Sequence, residues 1–568
     1  MGFFNFFSKR KINEQPEHID VSSVEEVENT LESEPQEEYI PINHCEKESS
    51  IIEEPSINEE IAEKEFDKLE ELGVYDPKLE LSHYKFPTFS LLNEIKADAD
   101  LEIIEPFRLI EILDSFGVRI KSITKNIGAI ITVFEIVPEP GVKISTLRRL
   151  EEDIAIALST PGVSITPIPE RGTIGIVVPN KHPQILSLES VLNTDNFRHS
   201  SAELAIAIGR TMTNDVFIFD LCKMPHLLVA GATGQGKSVG LNVMISSLLY
   251  KKHPAELKLV LIDPRVVEFN TYLPIQNHFL AKLPDTEKAV VTEFRDAVNM
   301  LESLVIEMNN RYDLFAKSNT RDIKEYNNKF VLRKLNSVRG HKYMPYIVVV
   351  IDEFADLLIF DDAKLSSSLN ILASKAHTVG IHMIISTQRP SAKIITGSIK
   401  ANFPSRLTFK VASSTDSRII LDESGAEQLV GRGDALFSYG GKAIRIQVPY
   451  IGTGDIENIT SFIGKQQGYP SAYYLPEYVE TYGYFSSSSI DLSDKDPLFE
   501  EAARLIVIHQ QGSTSLIQRK FSIGYNRAGR LMDQLEAAGI VGSIQGSAAR
   551  EVYIQDEYQL EQILDSLK

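Results

Sequence analysis

Gly231-Ala232-Thr233-Gly234-Gln235-Gly236-Lys237-Ser238 constrains this chain more than any other stretch. The pattern G-x-x-x-x-G-K-S is a phosphate-binding loop when it directly follows a strand and directly opens a helix. Both conditions are met: the apolar run Leu227-Leu228-Val229-Ala230 precedes it, and a helix is expected from Ser238 to Leu249. The glycines let the backbone bend so that its N–H groups cradle phosphates, and the helix N-terminus adds a favourable dipole. Lys237 is expected to neutralise β/γ-phosphate charge and Ser238 to ligate Mg²⁺. The eight residues therefore predict ATP and Mg²⁺ as cofactors.

A second run, Ile347-Val348-Val349-Val350-Ile351, ends in Asp352-Glu353. Asp352 is expected to position Mg²⁺ through water, and Glu353 to orient and activate the attacking water. Taken alone, Glu353 is a solvated acid at a strand end; its order and distance from the loop argue for catalysis. The run Met383-Ile384-Ile385-Ser386 leads into Thr387-Gln388-Arg389-Pro390. Gln388, at the tip of a neighbouring strand, is the candidate γ-phosphate sensor, with a plain loop amide as the alternative. The catalytic set is thus Lys237, Asp352, Glu353 and Gln388. These runs, with Leu259-Val260-Leu261-Ile262, are apolar on both faces, as in parallel sheets covered by helices. The expected fold class is α/β and doubly wound from about 200 to 455.

A net charge of -21 over 568 residues opposes a polyanionic partner, but its distribution resolves this. Residues 12–82 hold 23 acidic and 4 basic side chains, Lys9, Arg10 and Lys11 add three positive charges, and residues 83–568 carry only -5. A near-neutral body can present a local basic surface. The acidic segment shows no sustained period and is expected to be mostly disordered, with a short helix at residues 61–72. The opening MGFFNFFSKRK is a frayed terminus or a membrane-touching end, and is too short to span. No stretch reaches the roughly 18 to 20 apolar residues of a membrane helix. The two cysteines, Cys45 and Cys222, sit in different contexts and favour a reducing, cytoplasmic compartment.

Residues 88–190 alternate element types: a helix over Glu105–Phe116 with Phe107, Ile110 and Leu113 inward, a strand over Ala129–Val137, a helix over Ser145–Leu158 and a strand over Thr173–Pro179. A small α/β domain without a catalytic constellation is expected. Residues 483–496 are a polar, serine-rich linker. Beyond Pro497 come three helices: Pro497–Gln511 (Leu498, Ala502, Leu505, Ile506 and Ile508 mostly on one stripe), Ser515–Phe521, and Tyr525–Ala538 with Ala528, Leu531, Leu535 and Ala538 inward. A strand-prone stretch from Ile540 to Ile554 ends this winged-helix order. In helix-turn-helix domains the later helix enters the major groove by its N-terminal residues. Here those are Asn526, Arg527 and Arg530, with Arg550 in the wing; Arg and Asn suit bidentate readout of guanine and adenine. A protein-docking winged helix is the alternative.

Met224-Pro225-His226 running into Leu227–Gly234 closely resembles the FtsK/SpoIIIE translocase motor. So do Ile262-Asp263-Pro264-Arg265, Pro345–Leu357, Gly380-Ile381-His382, Thr387–Pro390, Ile399-Lys400-Ala401-Asn402, Asp416-Ser417-Arg418 and Gly431-x-Gly433-Asp434. The resemblance extends over residues 88 to 556. It implies a RecA-like P-loop motor domain forming a homo-hexameric ring around double-stranded DNA, preceded by a small α/β domain and followed by a C-terminal winged-helix domain. The implied organisation is an acidic segment at 1–82, an alpha-like domain at 83–198, the motor at 199–482, a linker at 483–495 and a gamma-like reader of short G-rich polar sequences at 496–568. Arg389, Lys400 and Arg418 match basic positions associated with DNA in the channel; pairing with carboxylates is the alternative for each. A site-specific recombinase or division proteins are the further implied partners. The implied setting is chromosome segregation near division, in the cytoplasm, with septum or membrane association through other proteins or a missing N-terminal region.

Three departures qualify this. The family usually has an arginine, thought to reach toward a neighbour's nucleotide, where this chain has His377. It commonly has a lysine where this chain has Ser414. Members often begin with several membrane helices, and none is read here, so the chain resembles soluble or shortened relatives. Two other function classes stay open: a conjugation or secretion ATPase of the same superfamily, and a catalytically weak DNA-binding or recruitment protein.

Overall fold

The computed structural model describes residues 73–93, 105–160, 162–168, 171–360, 363–478, 495–521, 523, 525–543, 550–554 and 556–566. The N-terminal run, the helix expected at 61–72 and nearly all of the serine-rich linker lie outside the described residues.

Four strands, β1 (Ile120–Ile127), β2 (Ile131–Pro138), β3 (Ser164–Ile168) and β4 (Thr173–Pro179), form an antiparallel sheet in the order β1-β2-β4-β3. Alternation along β2 serves two cores. Phe134 and Ile136 pack with Leu109, Leu147 and Ile154 from the helices, while Ile131 and Val133 pack with Val177, Met212 and Val430. The expected helix at 105–116 forms as Pro106–Ser115, but its buried stripe is Leu109 and Leu113; Phe107 is 67% exposed. The helix expected over Ser145–Leu158 is two, Ile144–Arg149 and Glu151–Leu158. Strands β1 and β3 were not anticipated, because their lysine-rich or proline-containing sequences hide the two-residue period.

The strands that follow are β5 (Ala205–Thr211), β6 (Val216–Asp220), β7 (Leu227–Ala230), β8 (Leu257–Ile262), β9 (Ala281–Lys282), β10 (Val290–Val291), β11 (Tyr346–Ile351), β12 (Ile381–Thr387), β13 (Ser405–Phe409), β14 (Asp434–Tyr439), β15 (Ile444–Gln447) and β16 (Tyr473–Tyr474). Ten of them make one sheet in the order β10-β8-β11-β12-β7-β13-β14-β15-β5-β6, and β16 pairs with β9. From β10 to β13 the pairing is parallel, and β7, β8, β11 and β12 are buried along their whole length. Beyond β13 the sheet continues antiparallel through β14, β15, β5 and β6. The four apolar runs read from the sequence all fall in the parallel part; the antiparallel strands beyond it have no crossover helix to signal them.

The last unit packs helices Phe499–His509, Thr514–Phe521 and Tyr525–Ala537 around Phe499, Ile506, Ile517, Ala528, Leu531 and Leu535. Ile508, expected on the inward stripe, is 60% exposed. Bridges pair Val541 with Val552 and Gly512 with Arg550. A fourth helix, Glu557–Ser566, adds Leu560 and Leu564 to this core where the sequence suggested only a terminal strand. Among the described residues, no helix is long and apolar enough to cross a membrane.

Candidate functional site

In a parallel sheet every strand delivers its C-terminal end to the same edge, where sites collect. Strand β12 lies between β7 and β11, so the loop after β7 and the acids after β11 face each other across the tip of β12. The loop enters the helix Lys237–Lys251 through Gly236, whose φ of 117° is unfavourable for a residue with a side chain. Gly231 allows a close approach: a Cβ there would sit 2.7 Å from the Cβ of Phe409. Backbone bonds from Gly231 N to Thr387 O (3.3 Å) and Ala232 N to Lys410 O (2.9 Å) tie the loop to the ends of β12 and β13. Gly433 N donates to Gln235 O at 3.1 Å.

Lys237 is buried, and its ammonium contacts Asp352 Oδ1 and donates to Ser386 Oγ at 3.0 Å. Ser386 Oγ donates in turn to Asp352 Oδ1 at 2.7 Å. Glu353 is fully buried and adopts left-handed φ/ψ of 45°/61° where β11 passes into the helix Phe354–Leu358. Thr387 Oγ1 donates to its Oε1 at 2.8 Å, and Gln388 N donates to its Oε2 at 2.9 Å. The Gln388 side chain accepts from Thr233 Oγ1 at 2.9 Å and from Arg265 Nη1 at 3.3 Å. The structure therefore gathers Lys237, Asp352, Glu353 and Gln388 at one strand edge with the phosphate loop. Ser238, at the helix start, and Asp352 supply the hard oxygen donors that suit Mg²⁺. Together with the positive-φ glycines and the unpaired N–H groups of a helix start, they fit a Mg²⁺–nucleotide.

Four participants escaped the sequence reading: Arg265, Asp356, Ser386 and Thr387. A signal existed for Arg265, because Asp263-Pro264-Arg265 follows an apolar strand just as Asp352 follows β11. Asp263 shapes that turn, accepting from Arg265 N (3.1 Å), Glu268 N (2.8 Å) and Phe269 N (3.1 Å).

The basic positions fare differently. Arg389 is 57% exposed, with Asp356 Oδ1 3.7 Å away. Lys400, on the helix Gly397–Asn402, pairs with Asp422, which Arg406 shares. Arg418 is exposed on the helix Ser414–Leu421, whose capping box is formed by Ser413 and Asp416. Asp434 grips Arg445 (Nη2 to Oδ2, 2.6 Å), and Arg445 Nη1 reaches Ser164 Oγ at 3.0 Å, so this aspartate is a structural brace. Ser414 opens its helix, and His377 lies 6.0 Å from the His226 ring centroid; neither supplies a permanent positive charge.

In the C-terminal unit Asn526 lies on the third helix, and Arg530 is exposed there. Arg527 makes a two-point contact with Asp496 (2.8 and 2.9 Å), which holds the Asp496 carboxyl below the usual range. Arg550 corrects the expectation of a wing residue facing DNA. Its side chain is only 9% exposed, and its guanidinium bonds to Asp533 Oδ1 and Glu536 Oε2, each at 2.6 Å. Its backbone pairs with Gly512, and Nη1 also reaches Met532 O at 3.4 Å, so the side chain lies on the third helix.

A phosphate loop after β7, an acid pair after β11 and a polar strand tip between them define a P-loop nucleoside-triphosphatase core. The chain belongs to the FtsK/SpoIIIE family. That family's model matches residues 187–392, with the Ftsk gamma domain at 493–555 and the FtsK alpha domain at 86–180. The chain is similar to the DNA translocase FtsK of Chlorobaculum tepidum, 45% identical over 85% of this chain and 61% of the relative. It is 38% identical to DNA translocase FtsK of Caldanaerobacter subterraneus over 98% of this chain and 74% of that protein. To DNA translocase SpoIIIE of Bacillus subtilis it is 41% identical, over 84% and 60%. The chain thus spans about three fifths of the length of the first and third of these relatives.

Proposed function

We propose that this chain hydrolyses ATP and uses the cycle to move double-stranded DNA. The observation that supports this reading is that the end of β12 and the residues after it join the acid to the surface: Thr387 and Gln388 bond to Glu353, and the next residue, Arg389, is exposed. The names of its relatives, DNA translocases, supply the substrate class. In this reading Lys237 neutralises phosphate charge, Glu353 takes a proton from the attacking water and Gln388 reads the γ-phosphate. Ser238 and Asp352 would hold Mg²⁺, which would supply further charge neutralisation at the phosphates. Arg389, Lys400 and Arg418 line the DNA path, and Asn526, Arg527 and Arg530 read sequence.

The finer reading is a homo-hexameric ring acting in chromosome segregation coupled to division and oriented by short G-rich sequences. Residues 83–198, 199–482 and 496–568 serve as its alpha, motor and gamma parts. The acidic segment 1–82 and the linker 483–495 complete the organisation. Division proteins or a site-specific recombinase are its partners, in the cytoplasm or near the septum. The test is ATP turnover with and without long duplex DNA at fixed salt. Stimulation is expected. Turnover indifferent to duplex would favour the recruitment role that His377 and Ser414 raise.

A further inference from the structure

Glu353 and Arg389 are connected by two routes. The first runs along the chain: Thr387 Oγ1 donates to Glu353 Oε1 (2.8 Å) and accepts from Arg389 N (3.0 Å), while Gln388 N holds Oε2 (2.9 Å). The second runs through charges. Asp356, three residues after Glu353, accepts from Arg265 Nε at 2.8 Å with one oxygen and faces Arg389 Nη2 at 3.7 Å with the other. Arg265 Nη2 lies 3.6 Å from Glu353 Oε2. Two arginines thus share one carboxylate, and one of them also touches a carboxylate with no solvent exposure. In such a set the partner that loses a competitor gains attraction, most strongly where water is excluded. Glu353 meanwhile keeps a left-handed backbone that its surroundings must enforce.

We propose that Asp356 and Arg265 are positioning residues that couple a phosphate bound at Arg389 to the release of Glu353 from Arg265. A polyanion at Arg389 draws that guanidinium off Asp356. Asp356 then takes a larger share of Arg265, which withdraws from Glu353 Oε2 and from Gln388. Glu353, still held in place by Thr387 and Gln388, is then relieved of the opposing guanidinium and accepts a proton from water. This rests on the reading of duplex-stimulated hydrolysis.

The experiment measures kcat and KM for ATP in the full chain, with and without saturating long duplex, and reads the stimulation ratio. Asp356→Asn is expected to lower that ratio by roughly five-fold or more, as for sites coupled through a shared network, with little change in KM. Asp356→Glu is expected to restore most of it. Adding Arg389→Ala to Asp356→Asn is expected to lower it no further. An aspartate with a merely structural role would lower both rates alike, keep the ratio and multiply with Arg389→Ala; that result overturns the proposal. Wild-type turnover that ignores duplex overturns the functional reading and the coupling together. Arg265→Lys keeps the charge but loses the fork that spans Asp356 and Gln388. Its ratio is expected to fall too, and an unchanged ratio there overturns the proposal even if Asp356→Asn does not fold.

Discussion

The ammonium of Lys237 and the carboxylate of Asp352 form an ion pair inside the motor core, both side chains nearly sealed from water. Removing one member of such a pair strands the other, at a cost of about 3–5 kcal/mol. Lys237→Ala is therefore expected to lose nucleotide binding and also to lower the unfolding temperature of the nucleotide-free protein. Calorimetry without nucleotide checks this; an unchanged transition would mean that Asp352 is not left unpaired.

Glu353→Gln keeps the shape of a side chain whose carboxylate is buried and hydrogen-bonded. ATP binding should persist while turnover falls about 10²–10⁴-fold, the range for losing a general base. Equilibrium binding of a fluorescent nucleotide, beside steady-state hydrolysis, separates the two effects. Loss of binding in parallel with turnover would place Glu353 in support of the loop rather than in chemistry.

Two arginines of the C-terminal unit should behave oppositely. Arg527→Ala frees Asp496 and removes a guanidinium that is 46% exposed. Discrimination between G-rich oriented sites and scrambled ones should drop by roughly 1–3 kcal/mol in competition binding at fixed salt. Arg550→Ala instead removes the buried partner of Asp533 and Glu536. It should destabilise this unit by about 1–3 kcal/mol. A variant that keeps full stability but loses sequence preference would restore Arg550 to the DNA-reading set.

Acid should weaken the motor core before ordinary carboxylates titrate. Burial first, then neighbouring histidines, lowers the pKa of His226 to about 3 and that of His382 to about 3. His226 Nδ1 accepts from Met383 N at 3.1 Å, and His382 Nε2 lies 3.6 Å from Cys222 Sγ, with His377 and Tyr346 nearby. Both imidazoles are neutral in the fold and take up protons when it opens. Their stabilisation is complete above an unfolded pKa of ~6.5 and is lost as pH falls toward 3, at about 1.4 kcal/mol per pH unit for each. Unfolding temperatures measured from pH 7.5 to 5 should fall, and His226→Gln, whose amide oxygen can still accept from Met383, should flatten the slope. An identical slope in that variant would assign the acid sensitivity elsewhere.

Local pattern alone identified the phosphate loop, the strand that ends in Asp352-Glu353, the four fully buried strands and the order of the three C-terminal helices. Each depends on neighbours in the chain: glycines at a turn, a β-branched run ending in acids, apolar residues at helical spacing. The tertiary structure decided what long-range pairing controls. It inserted β12 between β7 and β11, so that Ser386 and Thr387 reach Asp352 and Glu353 from over 30 residues away. It extended the sheet with antiparallel strands that no crossover helix announces. It brought Arg265 to Glu353 and Asp356, and it folded Arg550 inward, because a guanidinium goes to the carboxylates that packing puts within reach. In sequence, an arginine bound for a phosphate and one bound for an aspartate look the same.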